Sequence, residues 1–316
     1  MTNFWNGVLP AITTPFNVDG TVDHEFLSRH VAMMLDAGCT GIVPLGSLGE
    51  TATLTFAEKQ AVLGTVVKAT GVTAMAGAAG VAGVGGTRGA VVSGVAALAT
   101  DEAVTFAKMA ADAGCAGLMV LPPYVYSSDW LEMKHHVCAI IRATPLPCML
   151  YNNPIAYKTD FLPEHLAELA AEHPNLVAVK ESSADIRRIA AIKSLIGDRL
   201  HVLVGVDDLI VEAIAAGATG WIAGLVNAYP RESVVLFDMA IAGKWKELEP
   251  LYHWFLPLLK LDTVVKFVQL IKLVQEQVGL GSSRVRAPRL TLAGAELHDA
   301  QTLIQHAIAT KPTFPA

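Results

Sequence analysis

Charge is what this chain has least of. Only 16% of its 316 residues are charged, and 29 acids against 23 bases leave a formal net charge of -6 at pH 7. A nucleic-acid binder neutralises phosphates with clustered Lys and Arg, so this balance sets that class of partner aside. Cysteine is scarce too. Cys39, Cys115, Cys138 and Cys148 sit in apolar surroundings without CxxC spacing, which excludes a disulfide scaffold and leaves reduced, buried thiols. The ten histidines include no HExxH, and the neighbours His135 and His136 would point to different sides of a helix. No structural or catalytic metal is expected.

Phosphate-cradling loops are missing as well: no GxGxxG is completed and no GxxxxGK[ST] occurs. The opening "MTNFWNGVLPAITTPF" lacks a basic region followed by an apolar run and a small-residue cleavage site, so the expected location is the cytoplasm. The stretch from 69 to 87 is uncharged and long enough for a membrane span. It is poor in the Leu, Ile, Phe and Val that drive insertion, and the glycine-rich segment 71–89 reads instead as a long loop, with no membrane partner.

What the chain does have is apolar material, 53% of its residues, enough for one large barrel-type domain with an appendage. A corner recurs: "AGCTGIVPLG" from Ala37, "AGCAGLMVLPP" from Ala113 and "AGATGWIAGL" from Ala216. In each, a helical stretch ends at a glycine suited to the left-handed cap, a second glycine follows three residues on, and an apolar strand begins. Strands are expected at 8–13, 41–46, 90–95, 117–121, 147–151, 176–180, 201–205 and 220–224, alternating with amphipathic stretches. Eight such units predict a (β/α)8 TIM barrel over 1–229, with a C-terminal helical region over 230–316. That tail is rich in large apolar side chains and is expected to supply a subunit interface, making a dimer or tetramer.

In this fold the chemistry sits at the C-terminal ends of the strands. Those ends carry "GSLGE" (Gly46 to Glu50), Tyr124, Tyr151, Lys180, and Asp207 with Asp208 in "GVDD". The run "LVAVKESSAD" ends an apolar strand in Lys180, and a buried lysine is costly unless it is wanted. Burial lowers an amine's pKa and yields the neutral nucleophile that attacks a ketone to form a Schiff base. The phenol of Tyr151, on the neighbouring strand, is placed to shuttle protons. Competing readings remain open: Lys180 could snorkel or pair with Glu181, Asp207 and Asp208 could cap a helix, and Tyr124 could be packing. The glycine loop offers the Ser47 hydroxyl and backbone amides around Gly46 and Leu48 for a substrate carboxylate, or else is a plain turn.

The motifs "TTPFNVDGTVD", "GSLGE", "LPPYVY", "LYNNP", "AVKES" and "GVDD", in this order, resemble the dihydrodipicolinate synthase and N-acetylneuraminate lyase family of class I aldolases. The likeness runs from Val8 through Pro230 and continues into the tail. It implies a barrel, usually tetrameric, in which Lys180 forms a Schiff base with pyruvate or another 2-oxo acid and no further cofactor is needed. Tyr151 would be the relay tyrosine, Ser47 the carboxylate-binding hydroxyl, and Tyr124 the tyrosine that completes a relay across a subunit contact; Gly205 and Asp207 fall in the substrate-binding "GVDD". The chain departs from the synthase pattern in three places. Leu48 stands where a second threonine is usual, Ala156 where an arginine clamps the second substrate's carboxylate, and segment 71–89 is longer than the family's turn. Lys158 would replace that clamp only as a point charge. The expected function is therefore a Schiff-base lyase acting on a small 2-oxo acid or cyclic imino acid by aldol cleavage, dehydration or deamination. The alternative is the synthase reaction, condensing pyruvate with aspartate semialdehyde. A catalytically silent barrel that binds a 2-oxo acid is the third reading.

Overall fold

Eight apolar runs become eight parallel strands: β1 (Gly7–Pro10), β2 (Gly41–Ile42), β3 (Ala90–Val95), β4 (Gly117–Val120), β5 (Cys148–Asn152), β6 (Leu176–Glu181), β7 (His201–Val204) and β8 (Gly220–Ala223). The structure, a computed structural model, describes residues 4–71, 89–123 and 129–313. Neighbouring strands pair in the order β1-β8-β7-β6-β5-β4-β3-β2, and a parallel bridge between Ala11 and Val43 joins the two ends of that order. The result is the expected (β/α)8 barrel. Parallel strands covered on both faces read as continuous apolar runs rather than alternating ones, and every residue of β3, β4, β5 and β8 is buried.

The repeated corner does what its glycines allow. Gly38, Gly114 and Gly217 adopt φ of 104°, 92° and 104°, the left-handed region that a Cβ penalises. The second glycines serve close approach: a Cβ on Gly41 would lie 2.8 Å from the Ala90 carbonyl oxygen, and one on Gly117 3.0 Å from that of Pro147. β2 is shorter than the expected 41–46. Pro44 has no N–H to donate, and Leu45 turns to φ 62°, so regular pairing ends at Ile42.

Helices His24–Asp36, Phe56–Ala69, Thr100–Asp112, Trp130–Arg142, Pro163–Glu172, Arg187–Ile196, Ile210–Ala215 and Pro230–Ile241 follow the eight strands in turn. Their starts are written in the sequence: Asp23 accepts from the Phe26 amide, Asp129 from the Glu132 amide, and Thr55 with Glu58 forms a reciprocal capping box. The last of these helices packs against β1, and the expected boundary at 230 falls between it and β8. The tail then adds Trp245–Leu259, Phe267–Gln277 and Gly294–Ala309. Among the described residues no helix is long and apolar enough to cross a membrane. Of the glycine-rich segment 71–89, all but Gly71 and Gly89 lies outside the described residues.

The tail is fastened to the barrel mouth by one buried ion pair. Lys272, on Phe267–Gln277, donates to a carboxylate oxygen of Glu50 and to the Arg284 carbonyl, and both side chains of the pair are essentially inaccessible to solvent. The second Glu50 oxygen accepts from the Arg286 amide at 3.1 Å.

Candidate active site

Register brings the predicted pair together. On the adjacent strands β5 and β6, Tyr151 lies opposite Lys180 and Asn152 opposite Glu181. The Lys180 Nζ sits over the Tyr151 ring, 4.0 Å from its centroid, and the residue is 7% exposed. Burial depresses its amine to about 8, and the nearby Asp262 and Asp207 carboxyls act in the opposite direction. An alkylammonium at neutral pH thus keeps a usable neutral fraction. Glu181 is not its partner. That carboxylate accepts instead from the Ser183 amide at 2.6 Å and the Asn152 amide group at 3.1 Å.

Room for the lysine comes from Gly205, just past β7. A Cβ there would overlap Lys180 Cε and Ser182 Oγ, so the glycine is required for space. The Ser182 hydroxyl is buried close to the Tyr151 hydroxyl.

"YNNP" positions a phenol. Asn153 accepts from the Ala156 amide at 3.0 Å, capping the short helix Pro154–Tyr157, and its side-chain amide donates to the Tyr151 hydroxyl at 3.0 Å. That helix delivers Tyr157. Its hydroxyl shares a hydrogen bond with Ser47 Oγ, and its ring meets that of Tyr151 edge-on at 5.6 Å and 89°. Burial raises the pKa of both phenols, which keeps them protonated and able to relay. Ala156 and Lys158 are both exposed, at the outer side and end of this turn.

The rest of the glycine loop faces inward. Gly46 is buried, with its Cα close to Met119, and Leu48, 3% exposed, belongs to the apolar core. Asp207 is fully buried. Its Oδ1 accepts from Trp221 Nε1 at 2.9 Å, and its Oδ2 from the amides of Gly224 at 3.0 Å and Leu225 at 2.8 Å. Burial pushes this carboxyl to about 6 despite those donors. Tyr124 lies outside the described residues.

Three side chains at this rim were not among those singled out from the sequence: Tyr157, Ser182 and Asp262. Tyr157 had a signal, three residues after a proline that follows a capping asparagine. Asp262 is brought in by the tail: its turn, Lys260–Thr263, packs on Asp207–Leu209, and a Cβ on Gly224 would overlap its carboxyl. Its only trace in the sequence was being the single acid between Glu249 and Glu276. Burial, and then the charge of Asp207, hold the Asp262 carboxyl well above the usual carboxylate range.

Away from the rim, Cys138, Glu172 and His173 are the group among the described residues spaced to hold a metal ion. The Lys134 ammonium already pairs with Glu172, and an ion there would have to displace it.

Comparisons with known proteins agree with this geometry. The profile of the Dihydrodipicolinate synthetase family matches residues 4–307. A 4-hydroxy-tetrahydrodipicolinate synthase of Methanococcus maripaludis (strain C6) is 30% identical over 287 residues, 91% of this chain and 93% of its own. One from Geotalea daltonii is 31% identical over 295 residues, 92% of this chain and 94% of its own. The crystal structure of a dihydrodipicolinate synthase from Bacillus anthracis superposes with a TM-score of 0.88 at 27% identity, covering 99% of this chain and 100% of that one. These names match the condensation alternative better than the cleavage or elimination reading. The chain belongs to the dihydrodipicolinate synthetase family, whose members are class I, lysine Schiff-base lyases.

Proposed function

We propose that Lys180 condenses with the ketone of a small 2-oxo acid, that Tyr151 relays the protons of that step with Tyr157 and Ser47, and that the enamine so formed undergoes elimination or cleavage. The support is the Lys180 amine lying over the Tyr151 ring with Gly205 clearing its path. Nucleophilic attack needs the neutral amine, and expulsion of water from the carbinolamine needs a proton donor beside it; the buried phenol is that donor. The Ser47 hydroxyl and the glycine-loop amides take the substrate carboxylate, Asp207 fixes the turn after β8, and Ser182 offers a buried hydroxyl beside Tyr151.

The observation favouring elimination or cleavage over condensation with aspartate semialdehyde is the missing clamp. Ala156 offers no guanidinium and Lys158 is exposed, so at that turn the carboxylate of a second substrate finds no bidentate partner, whereas a hydroxyl or amino substituent needs none. The second reading, 4-hydroxy-tetrahydrodipicolinate synthase, is favoured by the names of the relatives. We further propose a homo-oligomer. The tail leaves Val264 and Val265 exposed beside the mouth, the latter 98%, as befits a surface that another copy covers.

Intact-mass spectrometry after borohydride treatment tests the lysine: pyruvate should leave a stable adduct on the protein and none on Lys180→Ala. Incubation with 3-deoxy-2-oxo sugar acids, hydroxy-pyrroline carboxylate, or pyruvate plus aspartate semialdehyde then separates the readings by product mass. No adduct with any 2-oxo acid would leave a binding barrel.

A further inference from the structure

Asp262 is supplied by the tail rather than by a strand end, and its surroundings single it out. Its turn packs on Asp207–Leu209 at the end of β7, and its carboxyl lies against Gly224 just past β8. It remains partly exposed at the mouth. Asp207, beside it, has both oxygens occupied by donors, but Asp262 makes no hydrogen bond and no ion pair among the described residues. The charged groups that influence it are Lys180, Asp207 and Asp208. Partly buried carboxyls are ordinarily hydrogen-bonded, so one left without a partner beside a nucleophilic lysine is poised for a ligand.

We propose that Asp262 is the general acid of this site, protonating a hydroxyl carried on C4 of a 2-oxo acid bound to Lys180 through C2. This rests on the Schiff-base reading above and deepens it, naming a 4-hydroxy-2-oxo acid as the substrate class and loss of water as the reaction. Tyr151, having given its proton to the departing carbinolamine oxygen, takes a proton from C3, and that C–H pair moves toward nitrogen to form the enamine. The pair then returns to make the C3–C4 double bond as the C4–O bond breaks, and Asp262 gives its proton to the leaving oxygen. Water departs. A second water adds to the conjugated iminium at C2, returns a proton to Asp262, and releases a 2-oxo-3-enoic acid and the free amine. The net change is loss of one water from the substrate, with no oxidant or reductant. Burial and a like-charged neighbour both raise the Asp262 carboxyl, which is the direction a proton donor needs.

The test uses the full chain and its Asp262→Asn and Asp262→Glu variants with three readouts. Borohydride trapping with pyruvate reads Schiff-base formation, deuterium exchange into the pyruvate methyl group reads C3 deprotonation, and water loss is followed with a 3-deoxy-2-oxo pentonate and with hydroxy-pyrroline carboxylate. Asp262→Asn is expected to keep trapping and exchange within about threefold and to lose water elimination by about 10²–10⁴-fold, with Asp262→Glu recovering part of it. Unchanged elimination would overturn the proposal. So would a parallel loss of trapping and exchange, which would make Asp262 a group that positions Lys180. Trapping by the parent chain without water loss from either probe would also overturn it. Absence of any adduct on the parent chain would instead defeat the Schiff-base reading.

Discussion

At the scale of single residues the site is a set of groups whose ordinary protonation has been shifted by enclosure. Lys180 is the clearest case. Its amine is depressed to about 8, so the neutral fraction is about one part in ten at pH 7 and nine in ten at pH 9. The rate of adduct formation with pyruvate should climb about tenfold per pH unit up to about pH 8 and then level off; an ascending limb centred near the ordinary lysine value would show that burial does not activate the amine. The sequence disclosed Lys180 and Tyr151 because each closes an apolar run, and register then set them side by side. It did not disclose Tyr157 in the same way. The bond from Tyr157 to Ser47 spans 110 residues of chain, and neither strand spacing nor local periodicity reports a meeting of that kind. Gly205 was visible as part of a motif, while its reason, the clearance of a side chain from the next strand, is a fact of packing alone.

At the scale of elements, the strands were legible wherever burial on both faces imposed an unbroken apolar run. β3 matches its expected 90–95 residue for residue. β2 was overdrawn because "VPLG" continues the apolar pattern while Pro44 and the left-handed Leu45 break the pairing. Composition records hydrophobicity, and ladders also need donors. The helix Phe267–Gln277 was read as part of an apolar helical tail, yet its Lys272 secures the "GSLGE" loop through Glu50. Replacing Lys272 by Met should destabilise the protein by about 3 kcal/mol, because the buried Glu50 carboxylate is left with only the more distant Arg289 guanidinium at 3.6 Å as a cation, read as a fall in denaturant midpoint. The double variant with Glu50→Gln should recover much of that loss. If Lys272→Met alone were neutral, the pair would not be what holds "GSLGE" in place.

At the scale of the whole molecule, the barrel and its tail share one apolar core. Leu251, Phe255, Ile271 and Val274 from the tail lie in the same apolar core as the strands. A chain ending at residue 242 loses those side chains together with Asp262 and Lys272. It should show no cooperative thermal transition by circular dichroism, while the full chain shows one; a truncated barrel that melts sharply would prove the tail an accessory. The ion pair between Glu50 and Lys272 also bears on how the protein is made. Its members are 222 residues apart, and at roughly 5–20 residues per second a ribosome takes about 10–45 s to bring the second after the first. For that interval the "GSLGE" loop has been synthesised but has no anchor, so a nascent chain cannot fasten it until Lys272 has left the ribosome.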